Sequence, residues 1–480
     1  MTLDIGTGKQ VFLDWELIEP GYGVGWGGKP ASWEMPHGVR IAAHPPRLER
    51  EPLIVADQPW ESMINVYTTL LAAEGRYRLY YEPHYHDPGE QPRDLKAMLA
   101  VAESDDGRHW TKPRVGTVAF DGSTDNNLVY GLDLALGRGA HGATVFLDPQ
   151  APAAERFKLV HMGREEGVHR VFGATSPDGL RWRPIQAPLL DDYMSDTQTV
   201  VAFDAARGRY VGYFRGWQGL VPGKGGHGRR AIAYAETADF YHWPRPEIIV
   251  TAEGSDSPDT DIYTNAYARW PGADRAHLLF PAFYHRAPDV LDVHLLTSRD
   301  GRRWERLGRA PLIPVGEPGS GWEGGVYAGC GLVSLSPGEW TLPVGPQWRT
   351  HNQGHFAEGR PEPPPHRGMT CRAVWREDGL TSLEAETEGR CATVPLTFAG
   401  DHLEVNAWTR FGGELRVELA EPTGAPLPGR ALDDCDALSG DALWTTVTWR
   451  GQSDLAPWAG RPVRLRLALR RARLHALRFG

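Results

Sequence analysis

Cysteine is scarce. The 480-residue chain has four, Cys330, Cys371, Cys391 and Cys435, and no two stand at metal-ligand spacing. That excludes a disulfide scaffold and a zinc ribbon, and reduced thiols are expected. Long apolar runs are missing: nothing approaches the roughly 18 consecutive apolar residues of a membrane-spanning helix. The first residues, MTLDIGTGKQVFLDW, carry no basic-then-apolar leader, so a cytoplasmic location is expected. Positive charge is in deficit. Lys and Arg number 51 against 61 Asp and Glu, a net charge of −10, which argues against a nucleic-acid surface. Extended segments of 3.6-residue period are also missing, which excludes a helical solenoid.

What the chain does have is glycine (56), proline (39) and tryptophan (18), a balance that favours turn-rich β structure. Its length allows two or three domains, or one large and one small.

A motif recurs along the first 380 residues: AVAESDDGRHW (100–110), FGATSPDGLRW (172–182), AYAETADFYHW (233–243) and HLLTSRDGRRW (294–304). Each is a strand-like run, a polar turn that usually holds Asp-Gly, and a Trp. Asp-Gly between strands is a strong hairpin signal because it tolerates positive φ. The tryptophans are 72, 61 and 61 residues apart, and CRAVWREDGLTSL (371–383) is a degenerate fifth copy. Ahead of each copy lie two further strand-like runs, for example INVYTTLLA and GRYRLYYEP in the first unit. Five four-stranded units of this size predict an all-β fold, a five-bladed β-propeller over residues 1–380. The segment QVFLDWELI (10–18) is the candidate strand to close the ring. From 381 to 480 the pattern changes to alternating strands such as HLEVNAW and RPVRLRLALR, which predict a C-terminal β-sandwich.

In a propeller, the loops before the innermost strands converge on one face. The residues at that phase are Glu61, His141, Asp196, Asp261 and Glu323. Four carboxylates and a histidine around one axis resist desolvation, which points to chemistry or cation binding. Paired carboxylates of unequal pKa are what glycosidic bond cleavage uses. Glu323, in GSGWEGGVYAG beside the apolar Trp322, is the candidate general acid, and Asp196 the candidate base or nucleophile. Glu61 and Asp261 complete the catalytic candidates. Trp60, Tyr67, Tyr263, Trp322 and Tyr327 are candidate sugar platforms, with His141 and Arg215 as further substrate-binding groups.

Taken singly, each acid is as readily a solvated turn residue. Asp106, Asp178 and Asp300 of the repeated hairpin read as turn-formers, because a residue repeated in every unit does not mark a single site. Asp125-Asn126-Asn127 reads as a turn, and HYHDPGEQPRD (84–94), with His84, His86 and Asp87, as a rim loop rather than a metal site. No metal or cofactor is required by these residues, although a structural Ca2+ near the axis is compatible with the acids.

The hairpins ESDDGRHW, TSPDGLRW and TSRDGRRW make residues 10–380 resemble the five-bladed propeller glycoside hydrolases, the superfamily of families 32, 43 and 68. The tail is similar to the β-sandwich that follows the propeller in family 32. A closer likeness is to bacterial members whose tail carries a stretch like LDDCDALSGDALWTTVTWRG. The resemblance implies hydrolysis of a carbohydrate substrate, with furanosides as the family default. It also implies Asp, Asp and Glu in the first three blades, where this chain has Glu61, His141 (or Asp148) and Asp196, so the triad does not transfer. The rivals are a non-catalytic carbohydrate-binding propeller and a glycoside phosphorylase, the latter needing a phosphate pocket for which Arg215 and His141 are the axial candidates. A sialidase fits less well, since it needs three axial arginines.

Overall fold

The computed structural model describes residues 2–21, 35–85, 96–131, 133, 135, 138–219, 228–352 and 368–480. His86 and Asp87 lie outside the described residues. The chain is almost wholly β: among the described residues the helical elements are two single 3-10 turns, Ala153–Glu155 and Ala456–Trp458. No helix there is long and apolar enough to cross a membrane.

Successive stretches of chain form successive antiparallel sheets. The first holds Met63–Ala73, Arg76–Tyr85, Leu99–Ser104 and Leu128–Tyr130, with the short Lys96–Ala97 paired to its second strand. The second holds His141–Leu147, Phe157–Glu165, Val168–Ser176 and Arg183–Pro184, and the third Val200–Asp204, Arg209–Gln218, Arg229–Thr237 and Glu247–Val250. In the next unit each of the first three strands is interrupted, so an outer sheet (Ala268–Arg269, His277–Leu279, Leu296–Ser298, Glu305–Arg306) is separated from an inner set (Thr260–Ile262, Ala282–His285, Val290–Val293). That inner set continues into the last sheet through a parallel pairing of Leu291 with Gly325. The last sheet runs Gly325–Ala328, Glu339–Gln347, Met369–Arg376 and then Arg47–Val55.

The closing strand is therefore Arg47–Val55, and not QVFLDWELI. Gln10–Val11 pairs instead with Arg464–Phe479, and residues 11–18 lie between two cores. Val11 and Leu13 pack with Trp270 and Ala476, while Phe12, Leu17 and Ile18 pack with the C-terminal strands. The apolarity of that segment reflects burial on both sides.

The first strands of the sheets are tied to one another across the middle of the assembly. Cys330 N donates to Thr68 O and Leu70 N to Cys330 O, joining last sheet to first, while Thr199 N donates to Gly142 O between third and second. Buried Gln198 donates from Nε2 to Thr68 O and Ala143 O, and Asn265 Nδ2 to Gln198 O.

The repeated hairpin explains itself in this packing. In ESDDG, TSPDG and TSRDG the serine Oγ accepts from the glycine N–H, and the aspartate Oδ1 accepts from the two amides that follow. The turn then seats on the preceding sheet. Tyr80 Oη donates to Gly179 O at 3.2 Å and Tyr213 Oη to Gly301 O at 2.8 Å. Gly179 has φ +74° and a Cβ there would stand 2.4 Å from Tyr80 Oη, so glycine is required twice over. Trp110 and Trp243 return an indole N–H to a carbonyl of their own turn.

The C-terminal strands form one six-stranded sheet in the order Arg40–Ala43, Thr381–Ala392, Arg464–Phe479, Leu403–Ala420, Asp441–Thr446, with Gln10–Val11 on its side. Leu3–Gly6 pairs in parallel with Leu396–Phe398. Register shifts at Ala385/Glu388 and Thr409/Glu414 break the long strands, and residues from both halves share a core that includes Leu419, Trp449 and Leu474.

Candidate functional site

A cavity of about 190 Å³ opens where the first strands converge, lined by Met63, Asn65, Val66, Tyr67, His84, His141, Asp196, Tyr263, Tyr327 and His351. The first, second and last of the successive sheets contribute strand residues, and Asp196 and Tyr263 come from beside the first strands of the third and fourth. Strand alternation sets which side chains arrive: Glu82 and His84, two apart in Arg76–Tyr85, share a face, His84 lining the cavity and Glu82 lying fully buried against it.

The polar centre is a chain of four groups. Glu82, fully buried, accepts at Oε1 from His84 Nε2 (2.5 Å), His141 Nδ1 (2.9 Å) and Asn65 Nδ2 (3.0 Å), and at Oε2 from the Gly142 amide (2.7 Å). His141 Nε2 then donates to Asp196 Oδ1 at 3.2 Å. Burial works against the imidazolium, but the Glu82 and Asp196 carboxylates outweigh it and push His141 up to about 10. For Glu82, burial favours the neutral acid and is overcome by His141 and His84, so its carboxyl is held well below the usual range. The Asp196 carboxyl is likewise held low: burial is outweighed by the His141 hydrogen bond and the Arg215 charge. The two ionised acids flanking one cation leave Asp196 as an anion facing the cavity.

The walls are aromatic. Tyr263 and Tyr327 meet edge to face at 6.0 Å, Tyr67 meets His141 at 5.4 Å, and His351 stands 4.8 Å from Tyr263 with its Nδ1 3.0 Å from Tyr327 Oη. Burial raises the three phenols, which therefore stay protonated. It pushes His351 down to about 4, helped by Arg230. The guanidinium groups of Arg215 and Arg230 lie 4.6 and 4.8 Å from the Tyr263 ring. Arg215 is fully buried, donates from Nη2 to Tyr263 O, and leaves Nε and Nη1 without partners among the described residues.

Of the residues singled out from sequence, Asp196, His141, Tyr67, Tyr263 and Tyr327 line the cavity, and Arg215 stands behind Tyr263. The others do not. Glu61 is fully buried and answered by Lys112 Nζ (2.7 Å), Tyr81 Oη (2.6 Å) and the amides of Asp57 and Gln58. Trp60 is spent on Asn127, to which its indole donates at 3.0 Å. Asp261, also fully buried, is held by Arg230 (3.0 Å) and Arg286 (2.6 Å). Trp322 packs in the core with Trp270 and Val326. Glu323 precedes the strand that delivers Tyr327 but is not a lining residue, and its Oε2 is buried without a partner. The four acids thus do not share one funnel: phase fixes the position of a residue along the strand but not the face it takes.

Three participants were missed or misplaced: Glu82, His84, which lies buried in the strand Arg76–Tyr85 and not in a rim loop, and His351. The signal for the first two was Glu-x-His within GRYRLYYEPHY, a spacing that puts both on one face of a strand. His351 carried no signal. Glu82, His84 and His141 offer ligand atoms within 4.8 Å of one another, a grouping that could hold a metal ion.

No protein-family model matches the chain, and no curated protein matches its sequence. Solved structures do. A glycosyl hydrolase from Bacteroides ovatus is 14% identical over 70% of this chain and 94% of its own, at a TM-score of 0.47. A structure from work on a family of mannoside phosphorylases that contains glycoside hydrolases targeting β-1,2 mannosidic linkages gives 13% identity, 70% and 94% coverage and a TM-score of 0.46. An N-acetylgalactosamine deacetylase from F. plautii, in complex with blood group B trisaccharide, gives 15%, 70% and 94%, and 0.43. Likeness at this level decides nothing about the reaction, which is argued from the cavity.

Proposed function

We propose that the chain is a glycoside hydrolase acting on an oligosaccharide or glycoside in this cavity. The five successive sheets are taken as the blades of a five-bladed propeller. Residues 381–480 form the C-terminal β-sandwich, which also takes in the N-terminal strands paired with it. The observation that supports the activity is the placement of Asp196: an ionised carboxylate, oriented by His141, on the wall of a cavity otherwise lined by tyrosines and imidazoles. Such a group activates water or attacks an anomeric carbon. Tyr67, Tyr263 and Tyr327 offer ring faces to sugar and protonated hydroxyls to its oxygens. Glu323 stands off the cavity lining with Oε2 buried, so no proton donor is assigned, and Glu323→Gln tests whether it takes part at all.

The test is hydrolysis of a panel of aryl glycosides and oligosaccharides by the wild type, Asp196→Asn and Glu323→Gln. Turnover lost in Asp196→Asn with the fold intact is the expected result. Glycan binding without turnover in any of the three would make the protein a lectin-like propeller and overturn the assignment.

A second reading is favoured by Arg215 and Arg230 beside Tyr263. Unpartnered guanidinium nitrogens suit a phosphate nucleophile, and a glycoside phosphorylase would show turnover only with inorganic phosphate and release a sugar phosphate.

A further inference from the structure

We propose that Glu82, His84 and His141 form a binding site for a divalent transition-metal ion of the Zn2+ class, at the floor of the cavity and beside Asp196.

Three nitrogens converge on a single oxygen. Glu82 Oε1 is met by His84 Nε2 at 2.5 Å, His141 Nδ1 at 2.9 Å and Asn65 Nδ2 at 3.0 Å. Two imidazoles and one carboxylate are the ligand set of many catalytic metal sites, which keep a fourth position open. With metal–ligand bonds of about 2.0–2.1 Å, tetrahedral ligand atoms stand roughly 3.3 Å apart. The two imidazole nitrogens stand 2.5 and 2.9 Å from Glu82 Oε1, and all three ligand atoms lie within 4.8 Å of one another, so small side-chain shifts bring them to that spacing.

The surroundings fit the same role. A metal-bound histidine usually donates its other ring N–H to a carboxylate, which fixes its tautomer. His141 does so to Asp196 through Nε2, and at Nδ1 the ion would replace the proton now given to Glu82, which is released on binding. The second oxygen of Glu82 is held by the Gly142 amide at 2.7 Å. The open side of the cluster faces the cavity, because His84, His141 and Asp196 all line it.

The donor set also selects the ion. Imidazole nitrogen suits Zn2+, Co2+ and similar ions, whereas Ca2+ takes six to eight oxygens, so the Ca2+ compatible with the acids in the sequence is not the ion that fits here. The consequence for catalysis rests on the hydrolase reading: an ion here presents its open position to the substrate held by the tyrosines, next to Asp196. The binding itself does not depend on that reading.

The experiment uses the full, tag-free chain, stripped with a chelator and titrated calorimetrically with ZnCl2, CoCl2 and CaCl2. Metal content after dialysis is read by mass spectrometry, and the bound Co2+ by its visible absorption. The expected result is one Zn2+ or Co2+ per chain, with Ca2+ bound at least 100-fold more weakly. Binding is lost in Glu82→Gln and His84→Ala, weakened 10- to 100-fold in Asp196→Asn, and unchanged in His285→Gln, a control histidine outside the cavity. His84→Gln and circular dichroism guard against a variant that merely fails to fold.

Stoichiometry unchanged in folded His84→Gln and Glu82→Gln would overturn the site, and so would tight binding of Ca2+ alone. If the stripped, metal-free chain hydrolyses glycosides at the full rate, the site has no part in catalysis while the hydrolase reading stands. If the ion binds and no glycoside turns over, the site stands and the hydrolase reading falls.

Discussion

Asp196, just before the first strand of its unit, and Asp261, within the first strand of the next, stand at nearly the same point of the sequence repeat, yet they meet opposite surroundings. Asp196 has one imidazole partner and a carboxylate face toward the cavity. Asp261 is sealed under two guanidinium groups. Glu61, in phase with both, is sealed under Lys112 and Tyr81. A buried carboxylate must be paired or hydrogen-bonded in full, and what separates a structural acid from a chemical one here is whether its partners use all of its lone pairs. Among the described residues Glu61 receives five hydrogen bonds, from Lys112, Tyr81 and the two amides, whereas Asp196 receives one, from His141.

The largest expected effect tests the open member of that comparison. Asp196→Asn keeps shape and the His141 contact but removes the charge. Its turnover should fall about 10²- to 10⁴-fold, the range for a positioned acid–base group, with the thermal midpoint little changed. Steady-state kinetics and a melt on the same preparation check both halves. A variant that loses stability and retains turnover would place Asp196 with Asp261 and Glu61.

The sealed acids should behave in the reverse way. Lys112→Met strands the Glu61 carboxylate, and removing one partner of a buried pair costs about 3–5 kcal/mol. The low end is expected because Tyr81 and two amides still hold the acid. Denaturant unfolding gives the loss, and kcat of the surviving folded fraction should match the wild type.

These contrasts show what the sequence could convey. The repeat was legible because hairpin chemistry is local: Ser, Asp and Gly satisfy one another within five residues. Even the third copy, AYAETADFYHW, makes sense without glycine. Where Gly179 and Gly301 admit a tyrosine hydroxyl from the preceding sheet, Phe240 packs edge to face on Phe146 at 6.0 Å and under Lys158 Nζ at 5.0 Å. The closing strand was not legible. Arg47–Val55, RLEREPLIV, is an outer strand with half its residues exposed and a proline that an edge tolerates, and it carries less apolar signal than the doubly buried residues 10–18. The candidate site was half legible. Position along a strand follows from spacing, but which face a residue takes reverses with a one-residue change of register, so Asp196 and His141 were found together with Glu61 and Asp261, which point elsewhere.

Gly179→Ala probes the hairpin seat that docks the sheet of His141, the partner of the open acid, on the first sheet. Positive φ and a Cβ 2.4 Å from Tyr80 Oη should together cost about 1–3 kcal/mol. Gly208→Ala, at a positive φ of 62° with open space around it, should cost less. Equal losses in the two would mean that backbone conformation alone, and not the seat on the neighbouring sheet, sets the requirement.

The smallest expected effect comes from an acid–imidazole pair outside the cavity, which separates pairing from function. His285 Nε2 lies 3.1 Å from Asp292 Oδ2, and His294 Nε2 3.1 Å from Oδ1. Burial would raise the Asp292 carboxyl, but the hydrogen bonds of His285 and His294 overcome it and the net shift is downward. For His285 the Asp292 hydrogen bond outweighs burial and the shift is upward. A lowered acid contributes stability that is present above its unfolded pKa and is lost as pH falls through the folded value. A raised histidine contributes stability that is full below about 6.5 and is lost as pH rises through its folded value. The pair is therefore strongest between these limits. His285→Gln should remove the alkaline decline, by less than about 1 kcal/mol because His285 is partly exposed and screened, while leaving turnover at the wild-type value. Melts at pH 5, 7 and 9 with parallel assays check this. A loss of turnover in His285→Gln would mean that the acid–imidazole chemistry attributed to Asp196 and His141 extends into the neighbouring unit.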